Sequence, residues 1–339
     1  MRITVPDYYD QFHCLAGGCP HSCCEKWEVV LDEASVHLYE SISGSLGEKL
    51  RGAMTEDEDG DICFLLNGGR CPFLDRENLC EIHRQLGEHA TSVTCQEHPR
   101  FTEDYGSFRE ITLSASCPAA NALLLGSENS LAFVNFETDE AEEGGDAWLE
   151  YLLPFRERLL AVLADRTRPL RARLKRFLLL AFGAQICLDE ERIEDIGELA
   201  EKEEAFAFAE GEEPLFPRAL QVLGELEILE SNWRDLLQQA GTAGRISVSE
   251  CLLERIAVYF AFRYLLKCVN DGDLLGRAQL CVLAILVVER VAAVCGLEEA
   301  LRRFSCEIEH NNENLEELLW RFQQDETMGI GTMLRELTA

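Results

Sequence analysis

Basic residues are scarce in this chain. Its 339 residues include 31 Lys and Arg against 62 Asp and Glu, which gives a formal net charge of −31 at neutral pH. A protein of that charge repels the phosphate backbone of nucleic acids, so the composition argues strongly against nucleic acid as a partner. The charge suits a partner that presents lysines, or simply a highly soluble and salt-tolerant protein.

Long apolar runs are also missing. The longest, Leu280–Val288, spans nine residues, whereas a membrane-spanning helix needs roughly 20. We therefore expect a buried helix there and no membrane partner. The opening segment Met1–Phe12 has no apolar stretch of the kind found in secretory signals. These features predict a cytoplasmic protein, and in that reducing compartment clustered cysteines bind metals more often than they form disulfides.

A third absence concerns nucleotide-binding motifs. No G-x-G-x-x-G follows a strand and opens a helix, so the sequence shows no Rossmann-type domain. From Trp148 onward, apolar residues recur with helical period rather than alternating. The predicted fold class is mainly α: a small cysteine-rich, metal-binding N-terminal module with short strands, packed on a larger helical body. The predicted boundaries are 1–132 for the module, 133–147 for an acidic connecting loop and 148–339 for the helical domain.

Local patterns predict the main elements. Pro169 breaks the basic stretch Arg156–Phe182, because proline lacks the amide that a helix interior needs. Ile62–Asn67 is predicted to be a strand, and Arg70–Cys80 a small hairpin. The predicted helices are Ala34–Ile42, Glu81–Gly87, Ala119–Leu125, Leu215–Gln239, Val248–Val269, Leu274–Cys295 and Asn314–Asp325.

Cysteine, by contrast, is abundant, with 15 residues. Four lie in the Cys14–Cys24 loop, where Gly17, Gly18 and Pro20 allow the backbone to fold tightly around a small group. The other predicted ligands follow in turn-rich sequence. The full predicted ligand set is Cys14, Cys19, Cys23, Cys24, Cys71, Cys80, Cys95 and Cys117.

The spacing of these cysteines leaves the metal open. Thiolates suit zinc, cuprous copper and iron–sulfur clusters. Structural zinc sites usually use paired C-x2–4-C knuckles, but the loop reads C-x4-C-x3-C-C, and the adjacent Cys23 and Cys24 side chains diverge. An iron–sulfur cluster accepts irregular spacing more easily. The residues therefore favour an iron–sulfur cluster, with zinc or no metal as alternatives, and we expect its ligands to come from both the loop and the later cysteines.

Nine short motifs resemble those of the flagellin lysine-N-methylase family. The resemblance spans both ends of the chain and leaves only about Phe133–Ala243 uncovered. Two positions depart from the pattern: His98 stands where tyrosine is expected before Pro99, and Cys306 where arginine is commoner. The matching motifs are Tyr9-x2-Phe12-x-Cys14, Cys19…Cys23-Cys24-x2-Trp27, C-P-F-L (Cys71–Leu74), L-C-x-I (Leu79–Ile82), Leu86-Gly87-Glu88, T-C-x3-P-R (Thr94–Arg100), F-R-Y-L-L-K (Phe262–Lys267), D-G-D (Asp271–Asp273) and S-C-E-I-E-H-N-N-E-N-L (Ser305–Leu315).

The resemblance implies an enzyme that transfers methyl groups from S-adenosylmethionine to lysine side chains of flagellin and contains an iron–sulfur cluster of the 4Fe–4S type. Flagellin and S-adenosylmethionine are then its partners. Among the residues that carry the resemblance, Tyr9, Trp27 and Arg100 are the candidates for binding S-adenosylmethionine. Because no Rossmann motif is visible, the cofactor is expected between the cysteine module and the helical body.

Amine methylation needs a neutral nucleophile, whereas free lysine has a pKa of about 10.4. Glu307, Glu309 and His310 are the candidate catalytic residues, because no other stretch groups carboxylates and imidazole so densely. At helical spacing Glu307 and His310 are expected to share a face. The alternative interpretation is structural, with this segment capping a helix that begins near Asn312.

A hypothesis from another functional class competes with the enzyme. The cysteines and the acidic surface also suit a non-catalytic zinc- or iron-binding scaffold, or a redox sensor, that docks a basic partner. The two hypotheses differ in whether the protein binds S-adenosylmethionine.

Overall fold

The computed structural model describes residues 1–25, 29–57, 60–141, 144–199, 214–244 and 246–338. These residues form fifteen α-helices and six β-strands, so the predicted mainly-α class is confirmed. The strands are β1 (Arg2–Pro6), β2 (Met54–Glu56), β3 (Ile62–Phe64), β4 (Arg100–Asp104), β5 (Phe108–Leu113) and β6 (Phe133–Glu137).

The first five helices lie among the strands: α1 (Glu33–Ser41), α2 (Gly44–Ala53), α3 (Glu81–Leu86), α4 (Val93–Glu97) and α5 (Pro118–Leu125). The other ten lie in residues 148–338, which we call the helical body: α6 (Leu149–Ala164), α7 (Leu170–Asp189), α8 (Ile196–Leu199), α9 (Leu215–Glu225), α10 (Trp233–Thr242), α11 (Glu250–Tyr264), α12 (Leu274–Cys295), α13 (Leu297–Glu309), α14 (Asn312–Gln324) and α15 (Ile330–Glu336).

A four-stranded sheet brings β1, at the start of the chain, together with three strands from residues 100–137. Its order is β4-β5-β1-β6, with β1 parallel to β5 and antiparallel to β6. The predicted connecting loop 133–147 therefore begins with a strand, because Phe133–Glu137 pairs along the whole of β1. Phe133 and its neighbours are more apolar than the acidic residues after them. The strand was not predicted because its partner, β1, lies far away in the sequence, where a local pattern cannot indicate it.

A small subdomain, residues 29–57 and 60–97, contains α1 to α4 and the β2–β3 hairpin. It has its own apolar core, in which Tyr39, Phe64 and Phe73 are fully or almost fully buried and the Phe64 ring contacts the other two. Asp32 caps α1 by accepting a hydrogen bond from the Ser35 amide. The subdomain thus folds around a core separate from that of the rest of the chain.

The helical body is organised around α12, which packs against α7, α10, α11 and α13. This helix is long and apolar enough to cross a membrane, but 72% of its most apolar window is buried inside the protein. A helix that is apolar on all sides is the expected core helix of a large domain. The bounds predicted for it, Leu274–Cys295, are those observed.

Two predicted helices differ from the structure. Leu215–Gln239 is divided into α9 and α10, because the backbone of residues 227–230 bonds to the Asn314 and Glu307 side chains instead of continuing the helix. Val248–Val269 forms α11 and then a 3₁₀ turn at Leu265–Asn270.

Candidate functional site

Four cysteines from the loop and the small subdomain lie close together. We call Cys24, Cys71, Cys80 and Cys95 the inner cysteine group. The Cys71 amide donates a 2.9 Å hydrogen bond to the Cys24 carbonyl oxygen. The pKa of the Cys71 thiol is raised to about 12, first by burial and then by the charges of the other three thiols. The sulfur of the loop residue Cys24 therefore lies near the sulfurs of the three cysteines of the small subdomain.

Polar hydrogens surround the sulfurs of the inner cysteine group. Cys80 precedes the first residue of α3, and the amides of Ile82 and His83 donate to its sulfur. Burial raises the pKa of this thiol, and the two hydrogen bonds oppose that rise. The Phe73 amide donates to Cys71 in the same way. Such N–H donors stabilise thiolates and are typical of sulfur ligands to metals.

A second cysteine group consists of Cys14, Cys19 and Cys117. Cys117 stands at the N-terminus of α5, where the Ala119 and Ala120 amides donate to its sulfur. Its pKa is raised mainly by burial, with smaller contributions from the charges of Cys19 and Cys14. Cys117 in the second group and Cys80 in the inner group therefore have the same arrangement: each lies at the N-terminus of a helix, with backbone amides donating to its sulfur.

Cys23 connects the two groups. Its pKa is raised above the ordinary value first by a hydrogen bond to Cys24, and also by the charges of Cys14 and Cys95. That hydrogen bond lowers the pKa of Cys24 to about 7. The directions of these two pKa shifts favour the thiolate on Cys24 rather than on Cys23, and a thiolate suits a metal ligand or a nucleophile.

The Cys14–Cys24 loop is held against both the small subdomain and the helical body. A Cβ at Gly17 would lie 2.6 Å from the Glu77 carbonyl oxygen, so only glycine permits this approach. On the other side, His21 Nε2 lies 3.6 Å from the Glu299 carboxylate on α13. The loop therefore sits between the turn before Cys80 and the start of α13.

The chemistry of the two cysteine groups fits a soft-metal site, because its donors are sulfurs with polar hydrogens directed at them. Within the part of the chain that the structure describes, no three His, Cys, Asp or Glu side chains are placed as a ready metal-ligand set. The eight predicted ligands therefore remain a prediction that the donor chemistry supports.

A buried carboxylate network lies between the sheet and the helical body. The Glu309 carboxylate, at the end of α13, is 2.8 Å from Arg263 Nε. It also accepts hydrogen bonds from the Tyr259 hydroxyl at 3.1 Å, the Tyr264 hydroxyl at 3.3 Å and the Ser305 hydroxyl at 2.5 Å. Glu309 is 6% exposed and Arg263 5%. A buried carboxylate with this many partners is held in one orientation.

His310 lies at the edge of the same network. Its Nε2 is 2.8 Å from the hydroxyls of both Ser114 and Ser116, which follow β5. Its ring contacts those of Phe101 and His98. Burial lowers the pKa of His310 to about 3, and the nearby His98 adds to that effect. The imidazole is therefore neutral at physiological pH.

Two serines connect Glu309 with His310. Ser305 donates to Glu309, its hydroxyl is 3.4 Å from that of Ser114, and Ser114 contacts His310. A chain of hydroxyls thus joins the carboxylate to the imidazole. It also places the segment after α13 directly on residues that precede Cys117.

Glu307 lies apart from this chain. Its carboxylate accepts 2.9 and 2.8 Å hydrogen bonds from the Leu229 and Glu230 amides, in the connection between α9 and α10. Burial raises its pKa to about 7, and the two hydrogen bonds oppose that rise. The expectation that Glu307 and His310 share a helix face is wrong, because α13 ends at Glu309 and His310 leaves the helical path.

Two of the predicted cofactor residues contact each other. Arg100 Nε donates a 2.9 Å hydrogen bond to the Tyr9 hydroxyl, and its guanidinium lies over the Tyr9 and Phe12 rings. Trp27 lies outside the described residues. Tyr9 and Arg100 are therefore brought together, and their role in cofactor binding remains a prediction.

Several residues of the network escaped the sequence analysis as site residues, among them Arg263, Ser114, Ser116 and Ser305. Arg263 belongs to the F-R-Y-L-L-K motif, which was noted only for its resemblance. The two serines precede Cys117 in S-A-S-C. The sequence signal that could have identified the two serines is their position beside Cys117, a predicted metal ligand. No local pattern, however, indicates that His310 contacts them.

Comparison with known proteins finds relatives of one kind. The chain is 28% identical over 144 residues to the "Flagellar biosynthetic protein FliU" of Salmonella muenchen, a match that covers 39% of this chain and 82% of that protein. It is also 28% identical over 144 residues to proteins named "Lysine-N-methylase" from Salmonella choleraesuis (strain SC-B67) and Salmonella typhimurium (strain LT2). The match covers 34% of each of these two, so it spans about a third of their length.

No family model matches the chain. No solved structure matches it either. The relatives nevertheless carry the names that the sequence motifs predicted. The resemblance of this chain to the flagellin lysine-N-methylase family is thereby confirmed.

Proposed function

We propose that this protein methylates lysine side chains of flagellin in the cytoplasm, with S-adenosylmethionine as the methyl donor. The match to the lysine-N-methylases carries the proposal. Two structural features support it: the cysteine groups, and the buried Glu309 network that joins the sheet to the helical body. The activity is an inference from relatives that the chain matches over part of their length.

The ligands of an iron–sulfur cluster, with zinc as the alternative, are proposed to come from the inner cysteine group, the second cysteine group and Cys23. Bound there, such a group would supply a Lewis-acidic centre, or in the case of iron a redox-active one. The residues of this chain would hold it through thiolates from the loop, from the small subdomain and, at Cys117, from the start of α5. The amides that donate to Cys71, Cys80 and Cys117 favour the charged form of those thiols.

The net charge of the protein supports a substrate that presents lysines on its surface. A net charge of −31 attracts lysine-bearing protein surfaces and speeds their encounter. In the reaction itself, the lysine nitrogen forms a bond to the methyl carbon while the carbon–sulfur bond breaks with its electron pair going to sulfur. The nitrogen must first lose its ammonium proton, so the site needs groups that orient the ammonium and accept that proton.

Glu309 is the residue of this chain best suited to orient an ammonium, because Arg263, two tyrosines and Ser305 hold its carboxylate rigidly. His310 is neutral, and its Nε2 lies 2.8 Å from the hydroxyl of each of the two serines beside it. The Glu309 carboxylate is the proposed acceptor of the ammonium proton, and the Ser305 and Ser114 hydroxyls extend from it toward His310. Glu307, which binds backbone amides, is assigned a supporting role in the α9–α10 connection.

The test is Glu309→Gln, which keeps the shape of the side chain and removes its charge. Methylation of flagellin, measured by mass spectrometry, should fall by roughly 10²–10⁴. Glu313→Gln is the matched control, since Glu313 is exposed, lies four residues further along the chain in α14, and should leave the rate unchanged. Both variants should melt within a few degrees of the unaltered protein. Normal methylation by a folded Glu309→Gln variant would refute the assignment.

One observation favours the second candidate, a non-catalytic zinc- or iron-binding scaffold or redox sensor that docks a basic partner. Four side chains, Arg263, Tyr259, Tyr264 and Ser305, already contact the Glu309 carboxylate, as they would a purely structural carboxylate. Anaerobic purification separates the metals, because an iron–sulfur protein is brown and a zinc protein is colourless. Binding of S-adenosylhomocysteine to the purified protein separates the enzyme from the scaffold.

A further inference from the structure

Strand β4 is one edge of the four-stranded sheet. It pairs with β5 on one side, and no strand of the described residues pairs with its other side. Just beyond the two strands, the Ser114 amide donates to the Pro99 carbonyl oxygen at 2.7 Å. Hydrogen-bonded pairs recur at every second residue of an antiparallel ladder, so Phe101 and Glu103 bond to β5. The residues whose backbone N–H and C=O groups point outward are therefore Arg100, Thr102 and Asp104.

Thr102 lies in the middle of this open edge. Its side chain is exposed, and its backbone N–H and C=O groups have no backbone partner among the described residues. A row of such groups is a template on which another strand can pair. The opposite edge of the sheet, β6, is open as well, so an open edge alone does not select a binding site.

The Glu309 network distinguishes the β4 edge from the β6 edge. The Arg263 guanidinium, which pairs with Glu309, lies 3.3 Å from the centre of the Phe101 ring. The centre of the His310 ring is 5.1 Å from that of Phe101. Phe101 and His310 are half-buried, so the network reaches the protein surface beside β4. Two strands, β5 and β1, separate the β6 edge from it.

A strand added to β4 would direct every second side chain toward this network. Phe101 and Glu103 lie on the face of the sheet that meets the helical body, where they contact Arg263 and Lys267. A residue opposite Phe101 on an added strand has its Cβ about 5 Å from the Phe101 Cβ, on the same face. A lysine in that position would lie on the side of the sheet where His310 and Arg263 are.

The charge near the edge also suits a segment that contains lysine. Glu97, which precedes His98, is exposed and forms no ion pair with a described residue. Arg100, the basic residue of β4, has its guanidinium over the Tyr9 and Phe12 rings. The net charge of −31 adds a long-range attraction for basic segments.

We propose that the open edge of β4 binds an extended, lysine-bearing segment of the protein substrate as an added strand. The inference rests on the proposed function and deepens it, because it names the conformation in which the substrate binds and the strand that binds it. Main-chain hydrogen bonds supply the affinity in such pairing. They are common to all sequences, so the edge accepts lysines in different sequence contexts.

The experiment measures KM and kcat for methylation of flagellin by the full-length protein, with mass spectrometry. Thr102→Pro removes the outward amide and leaves the hydrogen bonds to β5 in place, as proline does on edge strands. It should raise KM about 10-fold through the lost hydrogen bond and change kcat by less than about 2-fold. Thr102→Val keeps the amide and should behave as the unaltered protein. Glu137→Pro, which removes an outward amide from the β6 edge, should do the same.

A second measurement changes the substrate. A peptide of about ten residues, the length of a long strand, is taken from around a lysine that the protein methylates in flagellin. Methyl groups on its backbone amides block strand pairing only where those amides point toward β4. Blocking one set of alternate amides should weaken binding about 10-fold, and blocking the other set should leave it nearly unchanged. Fluorescence anisotropy of the labelled peptide measures this binding.

The outcomes separate this inference from the proposed function. If the unaltered protein does not methylate flagellin, both proposals are refuted. If it does, but the folded Thr102→Pro variant keeps its KM or Glu137→Pro raises KM equally, the β4 edge is not the substrate site and the proposed methylation stands. A dimer that Thr102→Pro converts to a monomer would assign the edge to a second copy of the chain. If thermal melting shows that Thr102→Pro is unfolded, the peptides decide, because equal weakening by both sets overturns the inference.

Discussion

The small subdomain and the helical body use the same residue type in opposite ways. In the small subdomain, Cys71 and Cys80 face other thiols and accept hydrogen bonds from backbone amides. In the helical body, Cys268 and Cys281 are fully buried singly in the apolar core, where burial raises their pKa. A cysteine is thus a ligand candidate where sulfurs and amide hydrogens converge, and a small core residue elsewhere.

The two cores also differ in size. Among the described residues, the core of the small subdomain contains eleven buried apolar residues, whereas the core of the helical body and sheet contains 67. Small domains bury too little apolar surface to be stable by packing alone and usually depend on metals or disulfides. The comparison predicts that metal stabilises the small subdomain and that packing stabilises the helical body.

The largest expected effect is loss of metal from a variant of the inner cysteine group. Cys71→Ser should lose most of its bound iron or zinc and unfold the small subdomain, because metal-binding energy in such modules is folding energy. Metal content by elemental analysis and limited proteolysis would show it. Cys281→Ser is the matched control: it places a hydroxyl in an apolar core, should destabilise by about 1–3 kcal/mol, and should keep its metal. Full metal content in Cys71→Ser would contradict the prediction that this thiol binds the metal that stabilises the small subdomain.

The next effect concerns packing in the helical body. Phe304 on α13 is fully buried and its ring contacts that of Phe260 on α11. Phe304→Ala should lower the free energy of unfolding by about 3–5 kcal/mol, through lost burial and the cavity left behind. Urea denaturation followed by circular dichroism measures this change. Metal content should stay the same, and a variant that lost metal as well would show that the two regions fold as one unit.

A smaller effect depends on pH. The pKa of His310 is lowered from 6.5 to about 3, so the unfolded chain binds this proton more readily than the folded one. The stabilisation is complete above pH 6.5 and is lost as the pH falls toward 3, by about 2 kcal/mol between pH 7 and pH 5. His310→Asn removes that part of the acid sensitivity, which urea denaturation at pH 7, 6 and 5 would measure. An unchanged acid slope in this variant would contradict the assignment.

The ionisation of Glu307 has the opposite effect on how the stability of the protein depends on pH. Its pKa is raised from 4.5 to about 7, so the folded chain holds this proton more tightly than the unfolded one. The resulting stabilisation is complete below pH 4.5 and is lost as the pH rises through 7. Comparing Glu307→Gln with His310→Asn over the same pH range therefore resolves two slopes of opposite sign.

The smallest effect is expected at the surface of the small subdomain. Lys49 Nζ is 2.5 Å from the Glu81 carboxylate, and the Lys49 side chain is 43% exposed. Exposed ion pairs of this kind contribute little, so Lys49→Met should change the free energy of unfolding by less than about 1 kcal/mol. A larger loss, measured by thermal denaturation, would show that surface charge rather than metal supports this small core.

Much of the fold could be predicted because its signals are local. Pro169 precedes the first residue of α7, where its fixed backbone angle is tolerated, and it separates α6 from α7 as predicted. Gly87 has a φ of 96° and ends α3, also as predicted. Helices α2, α4, α13 and α15 were not predicted. The helix cap near Asn312 proved to be Asn311, whose side chain accepts from the Asn314 amide.

The candidate site was predicted less completely, because its contacts join distant parts of the chain. Glu307 and Glu309 are two residues apart on α13, which turns about 100° per residue, so their side chains face opposite sides of the helix. One binds the α9–α10 connection and the other binds Arg263 on α11. Sequence proximity therefore grouped two carboxylates that tertiary structure separates.

By itself, the sequence determined the features that short-range chemistry controls: the strongly acidic charge, the tight Cys14–Cys24 loop, the apolar helix α12 and the resemblance to lysine-N-methylases. Only tertiary structure decided which cysteines meet, that Phe133–Glu137 pairs with β1, and that His310 reaches the serines before Cys117. The reason is physical. Turns, caps and helical period depend on neighbouring residues, whereas a buried polar group takes its hydrogen-bond partners from whichever segment the packing of the core brings beside it.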